Sequence, residues 1–249
     1  VSGIELRAWV YTAEQLGQAL GCEDISAVYV PMRLAGEPLD EYADRVILLP
    51  PEFLGDCEER TGQELSELRE AGFTRALAHT VGHIELLQRN GFEVCGGNRL
   101  NCTNSVTARF LADCGLKDII LSPELTVKRI NRIEKPVPTG FIAYGRLPLM
   151  LNRRCPIRDG KPCGKPNCGE SVTDRKGKKL RVICSDNTVE ILNSDVLMLN
   201  GRLSEFKADF AVLRFTTETD IEQIVKLYAQ DIPTDEANVT RGLYYRGVK

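Results

Sequence analysis

The sequence predicts an α/β fold: a (β/α)8 TIM-like barrel with a cysteine-rich insertion after the seventh strand. Short, near-continuous apolar runs alternate with amphipathic helical segments eight times along 249 residues, as expected of parallel strands covered on both faces. That count and length suit a closed barrel. No glycine-rich phosphate fingerprint follows the first strand, which argues against a doubly wound nucleotide-binding sheet. A polar stretch rich in Gly and Pro, with four cysteines, separates the seventh strand from the eighth.

In order, residues 6–11 (LRAWVY) read as the first strand, and AEQLGQALG as an amphipathic helix ending at Gly21. Residues 27–31 and 45–49 are the second and third strands, the latter closed by Pro50 and Pro51. ERTGQELSELREAG sets Leu65 and Leu68 on one helical face and stops at Gly72. Residues 74–79 form the fourth strand, followed by a helix in VGHIELLQRNG; residues 92–95 form the fifth, followed by a helix over 105–114. After the sixth strand (118–121), SPELTVKRINRIEK predicts a helix capped by Ser122 with Pro123 in its first position. Residues 137–143 lead into the cysteines; TVEILNSDVLML then runs extended to a turn at Asn200 and Gly201. Residues 208–215 are the eighth strand, and a capping box from Thr219 to Glu222 opens the last helix. We expect one barrel domain over 1–249, with 151–206 as its metal-binding insertion.

The insertion carries Cys155, Cys163, Cys168 and Cys184, spaced C-x7-C-x4-C-x15-C. The turn CGKPNC can aim successive thiolates at one point, which suits zinc or an iron–sulfur cluster. A disulfide-bonded loop is the alternative. Nine cysteines is an odd number, and Cys22, Cys95 and Cys114 sit in apolar or helical contexts that suit free thiols. We therefore expect a reducing cytoplasm.

Net charge is −3, but residues 151–181 hold ten bases against three acids. This basic patch, with Arg153, Arg154, Lys176, Lys178 and Lys179 as its RNA-binding candidates, is either a phosphate footprint or a counterweight to metal thiolates. No apolar run reaches the roughly 18 residues of a membrane span, so no membrane partner is expected. The chain opens without Met and reads as the C-terminal piece of a longer protein.

Several stretches resemble the collagenase-like peptidase family U-32, specifically a barrel of its multi-domain members. They are NRLNCTNSVTARFLADCGLKDIILSPELT, YGRLPLMLNRRCPIR, TDRKGKKLRV with VEILNSDVLML, and TRGLYYRGV. The resemblance implies a barrel fold and a four-iron four-sulfur cluster on cysteines after the seventh strand, with zinc as the other occupant the residues allow. It also implies kinship with RNA nucleobase and quinone-precursor hydroxylation proteins, besides the older peptidase label, and a partner barrel preceding this one in the full-length chain. Cys155 matches the usual second ligand, and Cys163 or Cys168 the third. Pro148 stands where the family often has a cysteine, as does Leu197 or Met198, and Cys184 is additional. Phe215, Thr216 and Thr217 replace an acid–Gly–Arg signature, which argues against catalysis by this barrel.

Predicted strand ends nominate His79, Arg99, Asn101, Glu124, Tyr144 and Arg146 as catalytic candidates, beside Glu52, Asn98 and Asn104. Arg99 and Arg146, flanked by amides, suit a carboxylate or phosphate; ordering of loops by hydrogen bonds is their plainer fate. His79 and His83, in HTVGH, lack the general-base Glu of H-E-x-x-H. No G-x-S-x-G elbow occurs. The alternatives to an RNA-modifying protein are a zinc-stabilised scaffold domain and a collagenase-like peptidase; we expect no peptide hydrolysis from the isolated barrel.

Overall fold

The computed structural model describes residues 3–158, 169–185, 188–234 and 239–247. Seven parallel strands follow one another: β1 (Glu5–Trp9), β2 (Ile25–Pro31), β3 (Val46–Leu49), β4 (Arg75–Ala78), β5 (Glu93–Gly96), β6 (Asp118–Ile120) and β7 (Thr139–Gly145). Four more belong to the insertion: β8 (Pro148–Asn152), β9 (Ser171–Thr173), β10 (Lys179–Ser185) and β11 (Thr188–Leu192). β12 (Val196–Met198) then leads back to β13 (Phe210–Arg214), with β14 (Val239–Thr240) near the end. β13 pairs in parallel with both β1 and β7, closing an eight-stranded barrel. Closure leaves no free edge on the barrel strands, so their backbone groups are paired on both sides. β12 hangs antiparallel on the end of β7, and β14 pairs with it.

The helices lie between the strands: α1 (Ala13–Gly21), α2 (Glu58–Glu70), α3 (Val81–Arg89), α4 (Ser105–Asp113), α5 (Val127–Ile130) and α6 (Glu222–Ala229). Thr12 caps α1 and Asn104 caps α4, each accepting a backbone N–H from the first turn. α1 buries Leu16, Ala19 and Leu20 on the spacing its sequence sets.

Three expectations about the helices need correction. The eight strand–helix alternations fail between β2 and β3, where 3-10 turns over Met32–Leu34 and Glu37–Tyr42 replace a helix. Gly36 and Pro38 interrupt that stretch, and neither supports a regular helix. Ser122 does not cap the helix after β6: its Oγ accepts from Glu124 N, closing a local turn, and Thr126 caps a shorter α5 instead. The capping box at Thr219 does not form either. Gln18 of α1 takes that role in tertiary form, donating to Thr219 O and accepting from Ile221 N at 2.9 Å.

Inside the barrel, strand alternation places Arg7, Trp9 and Tyr11 of the first strand and its extension on one face. Arg7 binds Asp118 of β6 at 2.5 Å and Tyr29 of β2 at 3.3 Å, and its guanidinium lies 3.6 Å from the Phe210 ring centroid. Phe210 fills the space where any side chain at Gly140 would stand. Gly145 ends β7 at φ +114, against the carbonyl of Arg214, so both backbone angle and space demand glycine.

β8, β11, β10 and β9 form a separate antiparallel sheet between β7 and β12. β11 is buried along its whole length, because each of its faces has a partner. Val189 and Ile191 join Cys155, Val182 and Cys184 in a small second core, while Leu192 packs into the barrel core. Thr188 and Glu190, on that second face, line the barrel mouth. Among the described residues, no helix is long and apolar enough to cross a membrane.

Candidate functional site

The C-terminal ends of the barrel strands meet the underside of β11. Arg214, the last residue of β13, stands in register with Trp9 of β1, and its guanidinium lies over the rings of Trp9 and Tyr11 at 5.6 and 5.3 Å. Glu190 enters from β11 and is 2% exposed. Its Oε1 accepts from Arg99 Nη2 at 2.6 Å. Its Oε2 accepts from Arg214 Nη2, and from the Tyr11 hydroxyl at 3.4 Å. Arg214 Nη2 also donates to the Tyr11 oxygen. Arg99 continues the web, its Nε standing 2.7 Å from Glu52 Oε2. Two carboxylates and two guanidinium groups are thus linked in one chain, fully buried at Glu190 and Arg214 and partly buried at Arg99 and Glu52, which at low dielectric favours a fully partnered set.

Beside it lies a cavity of about 20 Å³ lined by Trp9, Tyr11, Pro50, Glu52, His79 and Glu190, among others. Burial, then the charge of Glu190, raises the Glu52 carboxyl to about 7, against the opposing pull of Arg99 and Arg214. Burial, then His83, Arg99 and Arg214, holds His79 well below its usual range, so its ring is neutral. Burial alone would lower Arg214, but Glu190, Tyr11 and Glu52 raise it, and it stays charged. Near neutral pH the mouth therefore holds a carboxyl poised between its two forms, a neutral imidazole and two fixed cations.

The catalytic candidates are scattered. His79 lines the cavity, and its backbone N–H donates to His83 Nδ1 at 3.1 Å. That bond takes up Nδ1 of His83 as an acceptor and leaves its Nε2 as the remaining ring nitrogen. Burial lowers His83 to about 4. Arg99 belongs to the web just described. Tyr144 reaches Glu218 at 3.3 Å. Arg146 donates to the carbonyls of Asn193 and Ser194, tying the end of β7 to the strand connection before β12. Asn101 (left-handed, φ 50) ends a short 3-10 turn and is exposed, as is Glu124. Tyr11, Glu190 and Arg214 were not among the candidates. For Glu190 and Arg214 a signal was available as single charges inside apolar strands, in TVEIL and FAVLR.

Of the four thiols, Cys155 follows β8 and Cys184 lies on β10, and both are buried in the small core of the insertion. Cys163 and Cys168 lie outside the described residues. Among the described residues, no group of three or more His, Cys, Asp or Glu is placed to hold a metal ion. The RNA-binding candidates Arg153, Arg154, Lys176, Lys178 and Lys179 are exposed. Arg153 lies 4.6 Å from the Phe53 ring centroid, and Lys178 pairs with Asp195 at 3.0 Å.

A closed parallel barrel with interleaved helices and a polar cluster at the C-terminal mouth defines a TIM-like α/β protein. Residues 55–170, from the turn before α2 into the cysteine stretch, match the model of Peptidase family U32. The U32 resemblance carried by the sequence motifs holds. Among solved structures, the U32 peptidase Mk0906 is similar at 12% identity and TM-score 0.45, over 86% of this chain and 94% of that one. A structure described as native KDPGal is similar at 13% identity and TM-score 0.45, over 92% and 90%. The spore cortex-lytic enzyme SleL of Bacillus megaterium QM B1551 is similar at 11% and TM-score 0.41, over 95% and 74%. No curated protein matches.

Proposed function

We propose that this chain is a single U32-type barrel domain, the C-terminal part of a longer protein, whose insertion (151–206) holds one metal site on Cys155, Cys163, Cys168 and Cys184. The reading extends to RNA nucleobase hydroxylation by the full-length cytoplasmic protein, with the basic insertion meeting RNA and a preceding barrel as partner. The observation that carries it is the burial of Cys155 and Cys184 in one small core, away from the barrel core. Thiolates suit a four-iron four-sulfur cluster or zinc, and four of them leave no open position for water. The group, when bound, would supply either electron chemistry or a structural clamp. The chain's own thiols would bind it, and the exposed arginines and lysines would orient a polyanion.

Anaerobic purification followed by an absorbance spectrum and metal analysis tests the site. We expect metal in the intact protein and its loss in Cys155→Ser and Cys184→Ser variants. A colourless protein with one zinc per chain would leave the structural clamp and remove the cluster. Metal retained in both variants would sink the four-thiol site altogether. For the RNA assignment, nucleoside mass spectrometry should show a hydroxylated base missing when the gene is deleted and restored by wild type but not by Cys155→Ser.

The second reading, a zinc-stabilised scaffold without chemistry of its own, is favoured by the barrel mouth, where Glu190 ties up both Arg99 and Arg214. Both readings differ from a collagenase-like peptidase. Hydrolysis needs an activated nucleophile or open metal with a base in reach. We expect no cleavage of denatured collagen or a mixed peptide library; cleavage that disappears in His79→Ala would restore the peptidase reading.

A further inference from the structure

Glu190 sits where a ligand would. Three donors from three separate parts of the barrel, Arg99 after β5, Arg214 at the end of β13 and Tyr11 after β1, converge on one carboxylate. Each carboxylate oxygen has its own guanidinium, Oε1 with Arg99 and Oε2 with Arg214. Such two-sided pairing is how proteins recognise carboxylates. Arg214 is pre-oriented independently of Glu190: its Nη1 donates to the Arg146 carbonyl at 3.1 Å, and its guanidinium lies over the Trp9 and Tyr11 rings. Arg99 is likewise held by Glu52 through its Nε, 2.7 Å from Glu52 Oε2, while its Nη2 serves the carboxylate in the mouth. The receptor belongs to the barrel, whereas the carboxylate arrives on β11 of the insertion.

We infer that the barrel mouth is a carboxylate-binding site, built from Arg99, Arg214 and Tyr11 and occupied in cis by Glu190. The ligand class it takes is a small monocarboxylate or a carboxylate group at the end of a larger molecule. β11 acts as the built-in competitor: as long as its face covers the mouth, the receptor is saturated. This goes beyond the cysteine-site proposal and stands whether or not a metal is bound.

The test is chemical rescue in the full chain. Glu190→Ala removes the carboxylate and leaves a space that acetate can fill. Thermal melts by circular dichroism at pH 7.5 should show a lowered Tm that acetate raises again, with half-saturation in the millimolar range. Sodium chloride at matched ionic strength should not do so. Wild type and Glu190→Gln, in which a side chain still fills the space, should not respond to acetate beyond the salt effect. A line-broadened or shifted methyl signal of ¹³C-acetate, present with Glu190→Ala and absent with Glu190→Gln, should accompany the rescue. If Glu190→Ala does not fold in chloride, it should fold in acetate. Aggregation in both salts, or equal response of all three proteins to acetate, would overturn the inference.

Discussion

Replacing Asp118 with alanine is expected to remove about 3–5 kcal/mol of stability, the usual consequence of stranding one member of a buried ion pair. Asp118 and Arg7 are 6% and 8% exposed and meet across the barrel interior at 2.5 Å. Without the carboxylate, Arg7 keeps the Tyr29 hydroxyl, the Phe210 face and a distant contact to Glu5 at 3.7 Å. Of these only the Glu5 carboxylate carries a compensating charge, and it is largely exposed and beyond hydrogen-bond reach. Urea unfolding followed by far-UV circular dichroism measures the loss. Replacing both partners, Arg7→Met with Asp118→Leu, should recover most of it, because two apolar groups need no compensation. A single-variant cost below about 1 kcal/mol would mean that the Arg7 charge is solvated or compensated by Glu5, contrary to the packing.

Glu52→Gln is expected to abolish a loss of stability that wild type suffers as pH rises through neutrality. The folded carboxyl titrates at about 7 against an ordinary 4.5. Between those values the folded chain holds a proton that the unfolded chain has released, so stability falls as pH rises through this window. Above 7 both forms are ionised and the full difference, up to about 3 kcal/mol, has gone. Glutamine mimics the protonated side chain at every pH. The variant should therefore exceed wild type by about that amount at pH 8 and match it near pH 4.5. His79 and His83 act in the opposite sense: both are depressed, so their contribution is present above the ordinary 6.5 and lost as pH falls. They are common to both proteins and cancel in the difference. Parallel stability–pH curves for the two would show that Glu52 is ionised in the fold across the range.

The sequence by itself determined the barrel. Its evidence is local: near-continuous apolar runs for strands covered on both faces, apolar spacing along helices, and Gly or Pro at their ends. α1 runs from Ala13 to Gly21 as its composition requires, and β7 leads directly into the insertion. What only the tertiary structure decided were events between distant residues. Gln18 caps the segment before α6 from across the wall, a contact that no window around Thr219 contains. Arg99 could be nominated from its strand end, but its partner could not, since Glu190 lies on a strand whose two faces serve two different cores. A lone acid in an apolar strand signals a buried partner. Which arginine it meets depends on how the insertion folds back over the mouth, and chain closure over that span leaves no periodic trace in the sequence.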